Sequence, residues 1–162
     1  MIILTLALAG AEAVTQLDVR PPGDDMLQTS LETAIKFDRN VDGFYDGSEV
    51  KVLEGSAATA ELIKGEHFHR PHFVLEYHPQ CPHCKTMVGD FKHLAHRVHQ
   101  QKLDVDIVAV NMSKSDQEAL HPDGYPTIRF YTKPNEFKEF DDHRSYAAFK
   151  EFLEGEGIKF KK

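Results

Sequence analysis

An α/β domain with a mixed β-sheet, covered by helices on both faces, is predicted by three observations in the 162-residue sequence. Short apolar runs rich in β-branched and aromatic residues alternate with longer stretches of helical periodicity. The last two runs stand close enough to pair as a hairpin, and a helical stretch closes the domain. Hydrophobic residues make up 41% of the chain and charged residues 28%, which suits a globular domain with a core that needs no disulfide to hold it.

Taken in order, residues 1–10 form an apolar run too short to cross a bilayer, and Ala11-Glu12-Ala13 offers a small-residue cleavage site. Residues 1–13 read as a signal peptide, leaving no membrane span in the mature chain. No Lys or Arg precedes the run, so a clipped gene start or a buried strand stays open. Residues 14–44 form an N-terminal extension in which Leu27, Leu31, Ala34 and Ile35 recur at helical spacing behind Asp24 and Asp25, predicting a short amphipathic helix. Residues 50–53 read as the first strand. Ser56 is placed to cap a helix running to Lys64, with Gly65 just past its end. A strand at 73–77, a long helix from Cys81 to about Gln100 and a buried strand at 105–110 follow. Then come a short helix near 115–120, a strand pair at 127–132 and 137–140, and a final helix over 145–154. The order is βαβαβαββα, a domain spanning 45–157 with a solvated basic tail at 158–162. No internal repeat interrupts it.

The formal net charge of -7 argues against nucleic acid as a partner, because a phosphate-binding surface needs a basic excess that this chain lacks. The chemistry concentrates instead in Cys81-Pro82-His83-Cys84, which holds the only two cysteines and follows the 73–77 strand. At the start of a helix the first sulfur lies beside unpaired N–H groups and the positive end of the helix dipole, which favour the thiolate. Cys84, one turn on, can resolve a mixed disulfide formed by Cys81. Pro82 fixes the first turn, and His83 can donate to the thiolate or pair with its charge. A structural zinc needs four ligands and no second CxxC exists, yet ten histidines leave zinc open. An inert disulfide closing so short a loop would add little stability.

Residues 45–53, 73–91 and Gly124-Tyr125-Pro126-Thr127-Ile128-Arg129-Phe130-Tyr131 resemble a thioredoxin domain of the protein disulfide isomerase family. The resemblance implies the thioredoxin fold, with Cys81 as exposed attacking thiolate and Cys84 as shielded resolving thiol. It implies a cis Pro126 facing the dithiol, so that the Tyr125 backbone pairs with an extended client. Lys85 is similar to the family's lysine after the dithiol, and Arg144 resembles its mobile arginine near the resolving thiol. The implied activity is thiol–disulfide oxidoreduction on cysteines of client polypeptides, with a thiol oxidase or glutathione upstream. No cofactor is expected beyond a redox-active Cys81–Cys84 disulfide. The expected location is the secretory pathway, in the endoplasmic reticulum lumen or outside the cell. The Pro-His pair also occurs in a bacterial periplasmic oxidant with a potential of about -120 mV, against about -270 mV for thioredoxin, so an oxidising poise is expected. Three positions depart from the family pattern. Gln80 stands where it has Trp, Gly89 where it has a helix proline, and Leu75 where it has a buried acid that shuttles a proton to the resolving cysteine. Glu76 is adjacent but points to the other sheet face.

Rival readings involve metals. Asp38, Asn40, Asp42 and Glu49, with Gly43 and Asp46, satisfy the EF-hand loop pattern, although that loop needs an exiting helix where a strand is expected. Histidines cluster as His67, His69 and His72, as His78 and His83, and as His93, His96 and His99. The alternative function is therefore a non-catalytic module that holds a metal or a client through CxxC plus histidines. A cytosolic reductase follows if residues 1–13 are not a signal. Asn111-Met112-Ser113 fits a glycosylation acceptor.

Overall fold

The computed structural model describes residues 43–162. The expected signal peptide, the helix expected within 24–37 and the calcium candidates Asp38, Asn40 and Asp42 lie outside the described residues.

Five strands form one mixed sheet: β1 (Lys51–Leu53), β2 (His72–Tyr77), β3 (Asp106–Asn111), β4 (Thr127–Lys133) and β5 (Glu136–Glu139). Their spatial order is β1-β3-β2-β4-β5. β3 runs parallel to both β1 and β2, while β4 is antiparallel to β2 and to β5. All six residues of β2 are buried, as a central strand covered on both faces requires. Among the described residues five helices complete the domain: α1 (Ser56–Leu62), α2 (Pro82–Thr86), α3 (Val88–Gln101), α4 (Gln117–Leu120) and α5 (Tyr146–Gly155). This is the expected thioredoxin fold, with one helix divided in two.

Alternation along β2 sorts the core into two layers. Phe73, Leu75 and Tyr77 face α3 and α5, packing with Phe91, Leu94, Val98, Phe149 and Leu153. Val74 faces the opposite side, where Leu53, Ala58, Leu62, Val108, Leu120 and Tyr131 gather under α1 and α4. Cys84 and Met87 belong to the first layer, so α2 is anchored by one cysteine of the pair.

Four expectations are corrected. The long helix breaks at Met87 (φ -94°, ψ -2°), whose buried side chain is drawn into the first core layer. The break leaves Gly89 in the first turn of α3 rather than in a helix interior, where glycine would cost about 1 kcal/mol. Gly55, not Ser56, occupies the cap of α1, at a φ of 58° that glycine adopts without strain. The 158–162 tail is docked: Ile158 and Phe160 pack against the first core layer, and Lys161 exchanges hydrogen bonds with the Gln101 side chain at 2.7 and 3.2 Å. Finally, Asn111 is fully buried at the end of β3, its Oδ1 accepting from the Ser113 amide (3.0 Å) and hydroxyl (2.6 Å), so it presents no acceptor for a glycan.

Phe73 is fully buried, with its ring centroid 5.8–6.1 Å from those of Phe91, Phe140, Phe149 and Phe152. Phe73→Ala is expected to destabilise the domain by about 3–5 kcal/mol. Equilibrium urea unfolding would show this as a lower midpoint with an unchanged slope.

Candidate active site

The dithiol lies where β2 ends. After Tyr77 the chain turns, the Cys81 amide donating to the His78 carbonyl at 3.0 Å, and α2 begins. Cys81 takes an extended conformation as the residue capping α2, with Pro82 at the first helical position. Proline has no N–H, so the first free amides of the helix are those of His83 and Cys84, and both favour the Cys81 thiolate. Burial pushes the Cys81 thiol up. The Cys84 side chain, the two amides and the Arg144 charge more than offset it, and the net direction is below the ordinary thiol value.

Cys84 experiences the reverse. It is 1% exposed, and burial first, then its hydrogen bond to Cys81 and the charge it would share with that sulfur, push it up to about 12. Both cysteines are free thiols. One is polarised and reachable, the other is shielded in the core.

Facing them is the Tyr125–Pro126 bond, which is cis. The Cys81 thiol donates to the Tyr125 carbonyl at 3.5 Å, and Arg144 Nη2 donates to the Pro126 carbonyl at 3.5 Å. The half-buried Tyr125 side chain touches both core layers, and the His78 ring packs 5.7 Å from it. The structure thus brings Cys81, Cys84, Pro82, Tyr125, Pro126 and Arg144 together. The His83 ring is exposed, and its amide is among the groups that favour the Cys81 thiolate. Lys85 is exposed, its amide closing the first turn of α2 on the Cys81 carbonyl at 3.2 Å.

Leu75 shares the first core layer with Cys84 and sits opposite Ala109 on β3 and Ile128 on β4, so the strand beneath the resolving sulfur is apolar. Glu76 points the other way, as expected, and binds Arg129 through both carboxylate oxygens at 3.1 and 3.2 Å. The sequence reading missed this partner. Its signal was an arginine within the apolar run of β4, two residues beyond the position facing Glu76.

The metal candidates among the described residues disperse. Strand β1, not a helix, follows Glu49, which accepts from His96 Nδ1 at 3.0 Å. His93 stacks on Tyr146 at 4.1 Å, and buried His72 bonds Glu61 at 2.6 Å. Among the described residues no three His, Cys, Asp or Glu side chains come together as a ligand set. Among them, too, no helix is long and apolar enough to cross a membrane.

Residues 45–155 match the thioredoxin family. The rice (Oryza sativa subsp. japonica) protein disulfide isomerase-like 2-2 is 31% identical over 134 residues, covering 81% of this chain and 35% of its own. Mouse (Mus musculus) protein disulfide-isomerase A2 is 31% identical over 87 residues, covering 52% of this chain and 16% of its own. The chain therefore spans only a minor part of each of these curated relatives. Among solved structures, the J-Trx1 fragment of ERdj5 superposes with a TM-score of 0.57 at 23% identity, covering 75% of this chain and 58% of that one, a likeness of fold.

The asymmetry between the two sulfurs has a direct readout. Iodoacetamide at neutral pH is expected to alkylate Cys81 and spare Cys84, giving one adduct by mass spectrometry. The rate should level off at a pH below the ordinary thiol pKa, because Cys81 ionises early. Two adducts forming at equal rates would contradict the geometry.

Proposed function

The chain belongs to the thioredoxin family, and from that premise we propose that it is a thiol–disulfide oxidoreductase acting on cysteines of client polypeptides. The observation that carries the proposal is the pairing of a polarised, accessible Cys81 with a buried Cys84, beneath a backbone carbonyl of Tyr125.

In the oxidising direction, a client thiolate attacks Cys81 Sγ of the Cys81–Cys84 disulfide. The S–S bond breaks and Cys84 leaves as a thiolate that takes up a proton. A second client thiolate then attacks the client sulfur of the mixed disulfide and expels Cys81 as a thiolate. The client loses two electrons and the protein dithiol gains them, Cys84 taking up one proton while Cys81 leaves as a thiolate. Glutathione disulfide or a thiol oxidase restores the disulfide. Tyr125 and Pro126 align the client backbone, and Arg144 supplies positive charge near both sulfurs.

Three features favour oxidation over isomerisation. The amides at the start of α2 stabilise the reduced form by favouring the Cys81 thiolate. Leu75 leaves no carboxyl on the Cys84 side of β2 to take that thiol's proton, which slows the resolving step. Gln80 makes the client-facing surface polar. A disulfide of oxidising poise is useful in an oxidising compartment, which supports the secretory pathway as its place of action.

Cys81→Ser is expected to abolish both insulin reduction and the reoxidation of reduced ribonuclease. The dithiol, equilibrated against glutathione, is expected to have a potential nearer about -120 mV than about -270 mV. Activity retained by Cys81→Ser would overturn the function, and a potential near that of thioredoxin would overturn its oxidising direction.

A further inference from the structure

On the face of the sheet away from the dithiol, two buried charges stand side by side. Glu76 and Arg129 are 0% and 3% exposed. Glu76 faces Thr127 in the antiparallel ladder, which brings Arg129, two residues along β4, within reach on the same face. A buried ion pair is a weak source of stability, because desolvating both charges offsets their attraction. What distinguishes this one is where the remaining donors of the guanidinium go. Besides the carboxylate, Nη1 donates to the Leu120 carbonyl at 2.6 Å, and Nη2 donates to the His121 carbonyl at 2.9 Å. Nε and Nη2 both reach Glu139 at 3.3 Å, and the Phe137 ring covers the guanidinium at 4.4 Å.

Leu120 ends α4, and His121 is the left-handed residue that turns the chain out of it. Their carbonyls are ones that a helix terminus leaves without an intrahelical partner. The segment they launch, 122–126, carries Tyr125 to the Cys81 sulfur, and its far end is tied by Thr127 Oγ1 donating to the Gly124 carbonyl at 2.7 Å. One planar guanidinium, oriented by the buried Glu76 carboxylate and, from the rim, by Glu139, therefore holds the root of the client-facing loop.

We propose that Glu76 and Arg129 are a positioning pair for client docking, setting where the 122–126 loop presents the Tyr125 carbonyl to Cys81. Neither residue touches the reacting sulfurs. The assignment rests on the disulfide-exchange reading above and adds to it a part of the machinery outside the family pattern of dithiol, cis proline and mobile arginine.

Titration supports the same picture. Burial pushes the Glu76 carboxyl up to about 7 against the pull of Arg129, with Glu139 adding to the rise. The ionisable groups facing it are Arg129 and Tyr131 from β4, Glu139 from β5, and Tyr125 from the loop itself. As pH rises through about 7 the carboxylate forms and the grip on the guanidinium tightens, so docking improves. Stability runs the opposite way. A carboxyl whose folded pKa is raised contributes most below its unfolded value of 4.5, and that contribution is lost as pH climbs through about 7. A merely structural pair would make client turnover follow stability, whereas a positioning pair makes the two diverge.

The test uses the full 162-residue chain as wild type, Glu76→Gln and Arg129→Lys, with reduced ribonuclease as client and glutathione disulfide as a small probe that does not need the loop. Lysine keeps the charge but lacks the planar fork that spans two carbonyls. Both variants are expected to raise KM for ribonuclease about tenfold while keeping the dithiol potential and the glutathione rate. In wild type, the ribonuclease rate relative to the glutathione rate should rise with pH through about 7, and Glu76→Gln should flatten that profile. An unchanged KM, or a glutathione rate that falls in step with KM, overturns the proposal. If the variants fail to fold, wild-type NMR decides. Amide signals of residues 120–125 that titrate together with the Glu76 carboxyl support the pair, and signals that stay still overturn it. Wild type inert toward ribonuclease would defeat the functional reading alone, since the NMR titration judges the pair without any client.

Discussion

The active end of this molecule depends on the first turn of α2, where the amides of His83 and Cys84, the Cys84 side chain and the Arg144 charge converge in favouring the Cys81 thiolate. Without that convergence Cys81 would be a partly buried thiol, and burial alone would raise its pKa rather than lower it. The turn is held in place by what lies behind it. Cys84 and Met87 are sunk in the core layer formed by Phe73, Leu75, Tyr77 and Phe91, so the helix start cannot drift from the end of β2. The shielding of one sulfur and the activation of the other are two results of the same anchoring.

The sheet contributes differently on its two faces. Toward α3 and α5 it is apolar, including Leu75 beneath the resolving cysteine, and this dryness keeps the Cys84 proton in place. Toward α1 and α4 it carries buried polar groups. Glu76 with Arg129 and His72 with Glu61 each join β2 to a neighbouring element. β2 is thus the common reference for the dithiol, the loop opposite it and the helices on either side.

Much of this was legible from the chain itself because the signals are local. The alternation of apolar runs with helical periodicity placed every described strand within a residue or two, and the Cys-Pro-His-Cys and Tyr-Pro-Thr segments each carry their own backbone preference. What escaped the sequence reading depends on partners distant along the chain. Ile158 and Phe160 alternate with lysines, a strand-like pattern at half burial, but only α3 with Gln101 at its end turns that tail into a docked segment. Asn111 looked like a glycan acceptor until its position at the buried end of β3 was known. The break at Met87 has no proline to announce it, and it falls where that side chain is buried in the first core layer. Arg129 acquires its role from a carboxylate 53 residues earlier and from carbonyls 8 and 9 residues earlier, none of which periodicity could connect.

The division of labour between the two sulfurs is tested most directly by trapping the mixed disulfide. With Cys84 replaced by serine, a client bound through residue 81 cannot be released by the second sulfur. Mass spectrometry of Cys84→Ser incubated with a disulfide-bearing client should then find a covalent complex joined at Cys81, and the reciprocal Cys81→Ser protein should form none. A complex joined through Cys84, or the absence of a complex from both proteins, would contradict the account.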